Sequence, residues 1–183
     1  AEIIREFLGT TQWDLAVYYH ACRAWMQGMD PYDVRALQQL SGDPTQLPFL
    51  YPPGVLAVFV PLAVLSLAQA KLCWLCAKVL LLARMLTLIR PYLFPRLDPL
   101  AIGVVALLGI NETLLHDLRA GNVTVVETAL LWLGLLCCIR GRVTLYVALV
   151  CLGSMFKITA LVLLALLPLR APRARSVLLG LCG

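Results

Sequence analysis

The sequence predicts an all-helical, polytopic membrane protein: a bundle of packed apolar helices preceded by a more polar segment with interfacial helices. Hydrophobic residues make up 61% of the 183-residue chain and charged residues 14%, against roughly 25% charged and about 45–50% apolar in a soluble domain. The apolar residues gather into runs at 54–69, 70–89, 99–115, 122–139 and 143–169, lengths that approach or exceed the roughly 20 helical residues needed to cross about 30 Å of hydrocarbon. Leucine dominates these runs, and 143–169 shows no alternation of polarity. That excludes a membrane barrel, whose strands would be about ten residues of alternating polarity.

Residues 1–50 read as an extracytoplasmic first loop, and 51–183 as the transmembrane region. Within the loop, Leu15, Tyr18, Tyr19, Cys22, Trp25 and Met26 recur at three- and four-residue steps, which predicts an amphipathic helix that starts near Asp14 as N-cap and ends at Gly28. Asp30-Pro31 begins the next turn. A second short helix over 32–40 stops at Ser41-Gly42-Asp43-Pro44. Both helices are expected to lie at the membrane interface.

Tyr51-Pro52-Pro53-Gly54 opens the first apolar run, since prolines at a helix start lack only N–H groups that would be unpaired there. Pro61 should kink the run 54–69, whose 16 residues reach about 24 Å and span marginally. A threading in which 54–90 crosses once and 143–169 enters and returns as a hairpin, turning near Gly153-Ser154, puts Arg90, Arg96, Arg140, Arg142, Arg170, Arg173 and Arg175 on the cytoplasmic side, as the positive-inside bias favours. It also turns Asp14, Tyr51, Arg119, Asn122 and Lys157 toward one extracytoplasmic side. No signal peptide is visible, and the chain reads as a fragment at both ends.

The net charge of +5 is spread singly between apolar runs, which suits loops facing lipid headgroups and excludes a nucleic-acid partner. Cys73-x-x-Cys76 lies in an apolar run with no His or second Cys pair nearby. The cysteines inside the runs therefore read as small buried hydrophobes, and no metal or cofactor is expected.

Lys157 is the sharpest single feature. A lysine in the middle of an apolar run costs about 2.5 kcal/mol or more, so it should meet a ligand phosphate or a carboxylate, unless it snorkels to an interface. Glu127, Glu112 and Asp117 are acids that should be protonated or locally paired. Arg119-Ala120-Gly121-Asn122 joins two runs; its Arg and Asn can donate to phosphate or sugar oxygens, although a plain interhelical turn explains it equally well. Helix capping alone would account for Asp14. Tyr18, Tyr19 and Tyr51 read first as ordinary interface-belt residues and second as residues lining the mouth of a site.

Taken together, Trp13-Asp14-Leu15-Ala16-Val17-Tyr18-Tyr19, Ala24 to Gly28, Asp30-Pro31-Tyr32-Asp33, Phe49-Leu50-Tyr51-Pro52-Pro53 and Pro61 to Ser66 resemble glycosyltransferase family 87, and the likeness continues at Gly121-Asn122-Val123-Thr124 and Lys157. The resemblance runs from about Trp13 to Arg175. It implies a GT-C fold, a multi-pass protein of a bacterial inner membrane, and inverting transfer of a hexose, typically mannose, from a polyprenyl-phosphate sugar donor to a lipid or glycan acceptor. By similarity Asp14 is the general base on the acceptor hydroxyl, while Lys157 and Arg119 stabilise the leaving phosphate and no nucleotide is hydrolysed. Asn122 and Thr124 depart from the family pattern, which usually has Gly-Gln followed by another polar residue. The rival readings are a transporter or channel fragment, for which Lys157 and Glu127 are the expected evidence, and a non-catalytic membrane subunit.

Overall fold

The computed structural model describes residues 12–93, 95, 96, 98, 101, 104 and 112–166, all of them helical or irregular with no strand among them. The helices are α1 (Trp13–Met26), α2 (Val34–Ser41), α3 (Leu56–Ala63, led in by a 3₁₀ turn at Pro53–Val55), α4 (Leu67–Leu93), α5 (Glu112–Ala120), α6 (Thr124–Ile139) and α7 (Val143–Ser154), followed by a 3₁₀ stretch at Ile158–Leu166. The all-helical expectation holds. A single helix among the described residues, Leu67–Tyr92, is long and apolar enough to cross a membrane; Pro53–Ala63, Thr124–Ile139 and Val143–Ser154 are shorter apolar helices.

The chain divides into two compact units, the first from residues up to 80 with 98–123 and the second from 81–97 with 124 onward. In the first, α1 packs on α2, α3 and α5. The sequence predicts an amphipathic α1, but the structure buries every residue from Val17 to Cys22, along with Leu15 and Ala24. α1 is therefore a core helix of its unit, with Trp13 exposed at its start and Trp25 and Met26 at its far end. α2 keeps the amphipathic pattern, burying Ala36 and Leu37.

α1 ends as the sequence predicts. Gly28 adopts φ 74°, the left-handed conformation a glycine takes without steric penalty. This lets Gly28 N–H donate to the Trp25 carbonyl at 3.0 Å and Met29 N–H to the Ala24 carbonyl at 2.9 Å, closing the helix with paired rather than orphaned groups. Asp30 and Asp33 cap turns: Tyr32 N–H donates to Asp30 Oδ1 and Arg35 N–H to Asp33 Oδ1, both at 2.9 Å.

The run 54–69 does not form one helix. α3 stops at Ala63, and a new helix opens at Ser66, where Ser66 N–H and Oγ donate to Gln69 Oε1 at 3.1 and 2.9 Å and Gln69 N–H donates back to Ser66 Oγ at 3.4 Å. Ser-x-x-Gln is a capping box, and it splits a run whose apolarity is continuous. Tyr19 of α1 holds this junction, its hydroxyl donating to the Leu65 carbonyl at 2.7 Å. Of the run 99–115, only residues 101, 104 and 112–115 are described.

In the second unit α6 packs along α7. α7 stops at Ser154, at the turn position read from the sequence, and the 3₁₀ stretch folds back on it: the Tyr146 hydroxyl donates to the Leu163 carbonyl, and Leu163 and Leu164 pack on a core of Cys138, Tyr146 and Val150. Of the cysteines expected to be buried, Cys138 is; Cys73, Cys76 and Cys151 lie on exposed helix faces, where an apolar run meets lipid as readily as protein.

Candidate functional site

The start of α1 carries the site. Asp14 is not the N-cap predicted for it: Gln12 occupies that position with φ 61° and no side-chain cap, and Asp14 sits inside the first turn. Gln12 takes this left-handed conformation, uncommon outside glycine, because its N–H donates across to the Arg119 carbonyl at the end of α5, at 2.6 Å. The capping explanation for Asp14 therefore fails. Its carboxylate instead accepts a 2.6 Å hydrogen bond from Asn122 Nδ2, 108 positions along the chain.

Three contacts fix the turn that presents Asn122. Gly121 has φ 76°, and a Cβ there would stand 2.9 Å from Gln12 Cβ and 3.1 Å from Leu15 Cβ, so only glycine lets α1 approach. Trp74 Nε1 donates to the Gly121 carbonyl at 2.8 Å. Lys78 Nζ, on a side chain 1% exposed, lies 2.6 Å from Asp117 Oδ2 and donates to the carbonyls of Asp117 at 2.7 Å and Asn122 at 2.9 Å. Three partners satisfy the three donors of an ammonium.

A cavity of about 330 Å³ opens beside this pair, lined by Asp14, Val17, Tyr18, Leu47, Pro48, Leu50, Tyr51 and Asn122. The Tyr18 and Tyr51 hydroxyls are 3.3 Å apart. Tyr18 packs edge-on to Tyr51 and Phe49 and tilted on Phe59, with ring centres 5.3, 6.4 and 4.9 Å away. Burial, reinforced by the Tyr51 hydroxyl and by the charges of Asp14 and Asp117, pushes the Tyr18 hydroxyl far above its ordinary range, so it stays a protonated hydrogen-bonding group. Tyr51 is braced from outside by the Tyr32 hydroxyl, which donates to its carbonyl at 2.8 Å.

Of the six residues singled out from the sequence, Asp14, Tyr18, Tyr51 and Asn122 line this one cavity. Arg119 is exposed and contributes its carbonyl to Gln12. Lys157 belongs to the second unit, where its ammonium donates to Thr124 Oγ1 at 3.0 Å and lies 3.6 Å from the buried Glu127 carboxylate. It has found the carboxylate its position calls for, and Glu127 and Asp117 are both locally paired.

Sequence reasoning missed Lys78, although the argument applied to Lys157 applies to it equally, since Lys78 interrupts the run 70–89. It also missed His20, 7% exposed with its Nδ1 unpartnered. Burial first, then the charges of Arg23 and Lys71, hold the His20 imidazole below its ordinary value. Among the described residues no group of three or more His, Cys, Asp or Glu side chains gathers as metal ligands would.

The fold and the site define an all-helical protein in which a carboxylate, held by a side-chain amide, faces a cavity walled by tyrosines and apolar residues. The chain belongs to glycosyltransferase family 87, whose family model matches residues 49–182. Membership makes it a membrane glycosyltransferase. The matched segment contains Tyr51, Arg119, Asn122 and Lys157; Asp14 and Tyr18 precede it. No curated protein and no solved structure matches the chain.

Proposed function

We propose that the protein transfers a hexose, mannose in the first instance, from a polyprenyl-phosphate donor to a hydroxyl of a lipid or glycan acceptor on the extracytoplasmic side of a bacterial inner membrane, as a multi-pass protein, with Asp14 as the general base. The acceptor oxygen attacks the anomeric carbon from the face opposite the phosphate, its proton passes to the Asp14 carboxylate, and the sugar–phosphate C–O bond breaks to release polyprenyl phosphate with inversion.

The observation that carries this reading is the 2.6 Å contact between Asn122 Nδ2 and Asp14 Oδ2 at the wall of the Tyr18–Tyr51 cavity. A carboxylate offers about four lone-pair sites, so one amide orients Asp14 and leaves accepting capacity toward a substrate hydroxyl, the geometry a general base needs. Asn122 departs from the glutamine usual in the family and keeps the amide. Tyr18 and Tyr51 supply ring faces and hydroxyls suited to a sugar. Arg119, exposed at the end of α5, is a cation of this unit that can meet the leaving phosphate. Lys157 shares its ammonium between Thr124 and Glu127.

The test is hexose transfer from radiolabelled polyprenyl-phosphate-mannose in membranes carrying wild type or Asp14→Asn at matched expression. The variant should lose about 10²–10⁴-fold of the transfer rate, the usual contribution of a positioned base. Equal rates would remove Asp14 from the mechanism, and a wild type inactive with every polyprenyl-phosphate sugar would remove the donor assignment.

A further inference from the structure

Two stretches 48 positions apart in the sequence meet at one edge of the second unit. Arg140, at the turn between α6 and α7, donates from Nε to the Tyr92 hydroxyl at 3.0 Å, and its Cζ stands 5.8 Å from the centre of the Tyr92 ring. Tyr92 is the last residue of Leu67–Tyr92, the span long and apolar enough to cross a membrane. The contact therefore lies at an end of that span, where lipid headgroups begin.

It leaves hydrogen-bond donors to spare. A guanidinium has five N–H donors; Tyr92 takes the one on Nε, and both terminal nitrogens of this exposed side chain remain for a ligand. The Tyr92 hydroxyl accepts from Arg140, so its own O–H can donate outward. Arg142, also exposed, follows across Gly141, whose φ of 75° turns the chain between the two arginines. Arg90 and Arg96 precede and follow Tyr92 in sequence, and the unit holds one acidic side chain, Glu127, buried beside Lys157. The local field is positive, with no carboxylate to temper it. Two exposed guanidinium forks and a phenol suit the oxygens of a phosphodiester.

An apolar face starts where the arginines end. Leu145, Ala148 and Leu152 are exposed on α7, and steps of three and four residues stack them on one side of the helix. From Leu145 to Leu152 that side runs about 10 Å. A free phosphate or a nucleotide would use the arginines and leave this face bare, whereas an amphiphile covers both. A zwitterionic headgroup would bring an ammonium into a positive field with no acid to receive it. A headgroup whose only charge is its phosphate avoids that cost.

We propose that this edge is a binding site for an anionic phospholipid of the phosphatidylglycerol class: its phosphodiester lies among Arg140, Arg142 and the Tyr92 hydroxyl, and one acyl chain runs along Leu145, Ala148 and Leu152. The site uses no residue of the Asp14 cavity and stands independently of the transferase reading. It ties the turn between α6 and α7 to the bilayer and makes this unit sensitive to the lipid composition around it.

The experiment measures retention of radiolabelled phosphatidylglycerol and phosphatidylethanolamine by the full chain in detergent micelles, with inorganic phosphate as competitor. Wild type should hold phosphatidylglycerol at least about tenfold more tightly than phosphatidylethanolamine, and inorganic phosphate at the same concentration as the lipid should not displace it. Arg140→Gln and Arg142→Gln, both at exposed positions, should each cut the preference to under about threefold, with lipid-free unfolding midpoints near wild type showing that the fold is kept. Tyr92→Phe, which retains the ring and removes the hydroxyl, should lower the preference by about two- to threefold. Arg35→Gln, the same loss of an exposed charge in the first unit, should leave it unchanged. Equal retention of the two lipids, a preference that survives in Arg140→Gln/Arg142→Gln, or one lost as fully in Arg35→Gln overturns the site. Displacement by inorganic phosphate overturns the lipid as its occupant.

Discussion

Lys78 and Lys157 each interrupt an apolar run, and the two units of the molecule accommodate them in opposite ways. Lys78 is 1% exposed and holds a carboxylate at 2.6 Å and two backbone carbonyls. Lys157 stands just past the end of α7, its side chain 43% exposed, with a hydroxyl at 3.0 Å and a carboxylate at 3.6 Å. A cation taken fully out of water needs every donor occupied, whereas one at a helix break retains other ways of being solvated. The position that looks most anomalous in the sequence is thus the less constrained of the two. The lysine hidden in a regular helix is the one that organises the turn bearing Asn122.

His20 shows a third way of burying a base. It sits in the same unit as Lys78 with no partner on Nδ1 and avoids the cost of a buried charge by staying neutral.

The comparison can be broken most directly at Lys78. Lys78→Met leaves Asp117 as a buried carboxylate without its cation, and breaking a buried pair from one side costs about 3–5 kcal/mol. Thermal unfolding in detergent should show a large drop in midpoint, partly reversed in Lys78→Met/Asp117→Asn. A single variant as stable as wild type would mean that the ion pair does not hold the turn.

His20 gives a smaller, pH-dependent effect. Its folded-state value lies below the ordinary 6.5, so as pH falls the unfolded chain takes up the proton first. The stability from keeping His20 neutral is therefore present above about 6.5 and is withdrawn as pH drops through and below that value. Unfolding midpoints measured from pH 7.5 down to pH 5 should fall for wild type and fall less steeply for His20→Gln; parallel slopes would remove His20 as the titrating group.

Lys157→Met should have the smallest effect. The ammonium it removes is 43% exposed and 3.6 Å from Glu127, against 1% and 2.6 Å for Lys78 and Asp117, so its unfolding midpoint should drop by much less than that of Lys78→Met. A loss matching that of Lys78→Met would erase the distinction between the two lysines.

Much of the fold was legible because its signals are local. Gly28 and the Ser-Gly-Asp-Pro cluster mark real helix ends, and the break after Ser154 falls where Gly153-Ser154 suggested a turn. What stayed hidden depends on distant partners. Gln12 takes a left-handed conformation because Arg119 asks for its N–H, and no property of Gln12 itself announces that. The capping box at Ser66 was overlooked because averaged apolarity treats 54–69 as continuous. For the site, Asp14, Tyr18, Tyr51 and Asn122 could be named from family resemblance, yet the reason Asp14 is not merely a cap lies in the 108-residue contact with Asn122. The Lys78 clamp was readable in principle, since a charge in an apolar run always implies a partner.

The contact between Asp14 and Asn122 also sets an order of events during biosynthesis. When Asp14 leaves the ribosome, the amide that will orient it has yet to be translated, as has Asp117, which lies 39 positions beyond Lys78. A nascent chain therefore carries a bare ammonium in α4 until residue 117 arrives, and its pocket has no finished wall until residue 122 does. Insertion machinery must tolerate that interval, and a chain arrested before residue 122 would hold the carboxylate without the geometry that makes it useful.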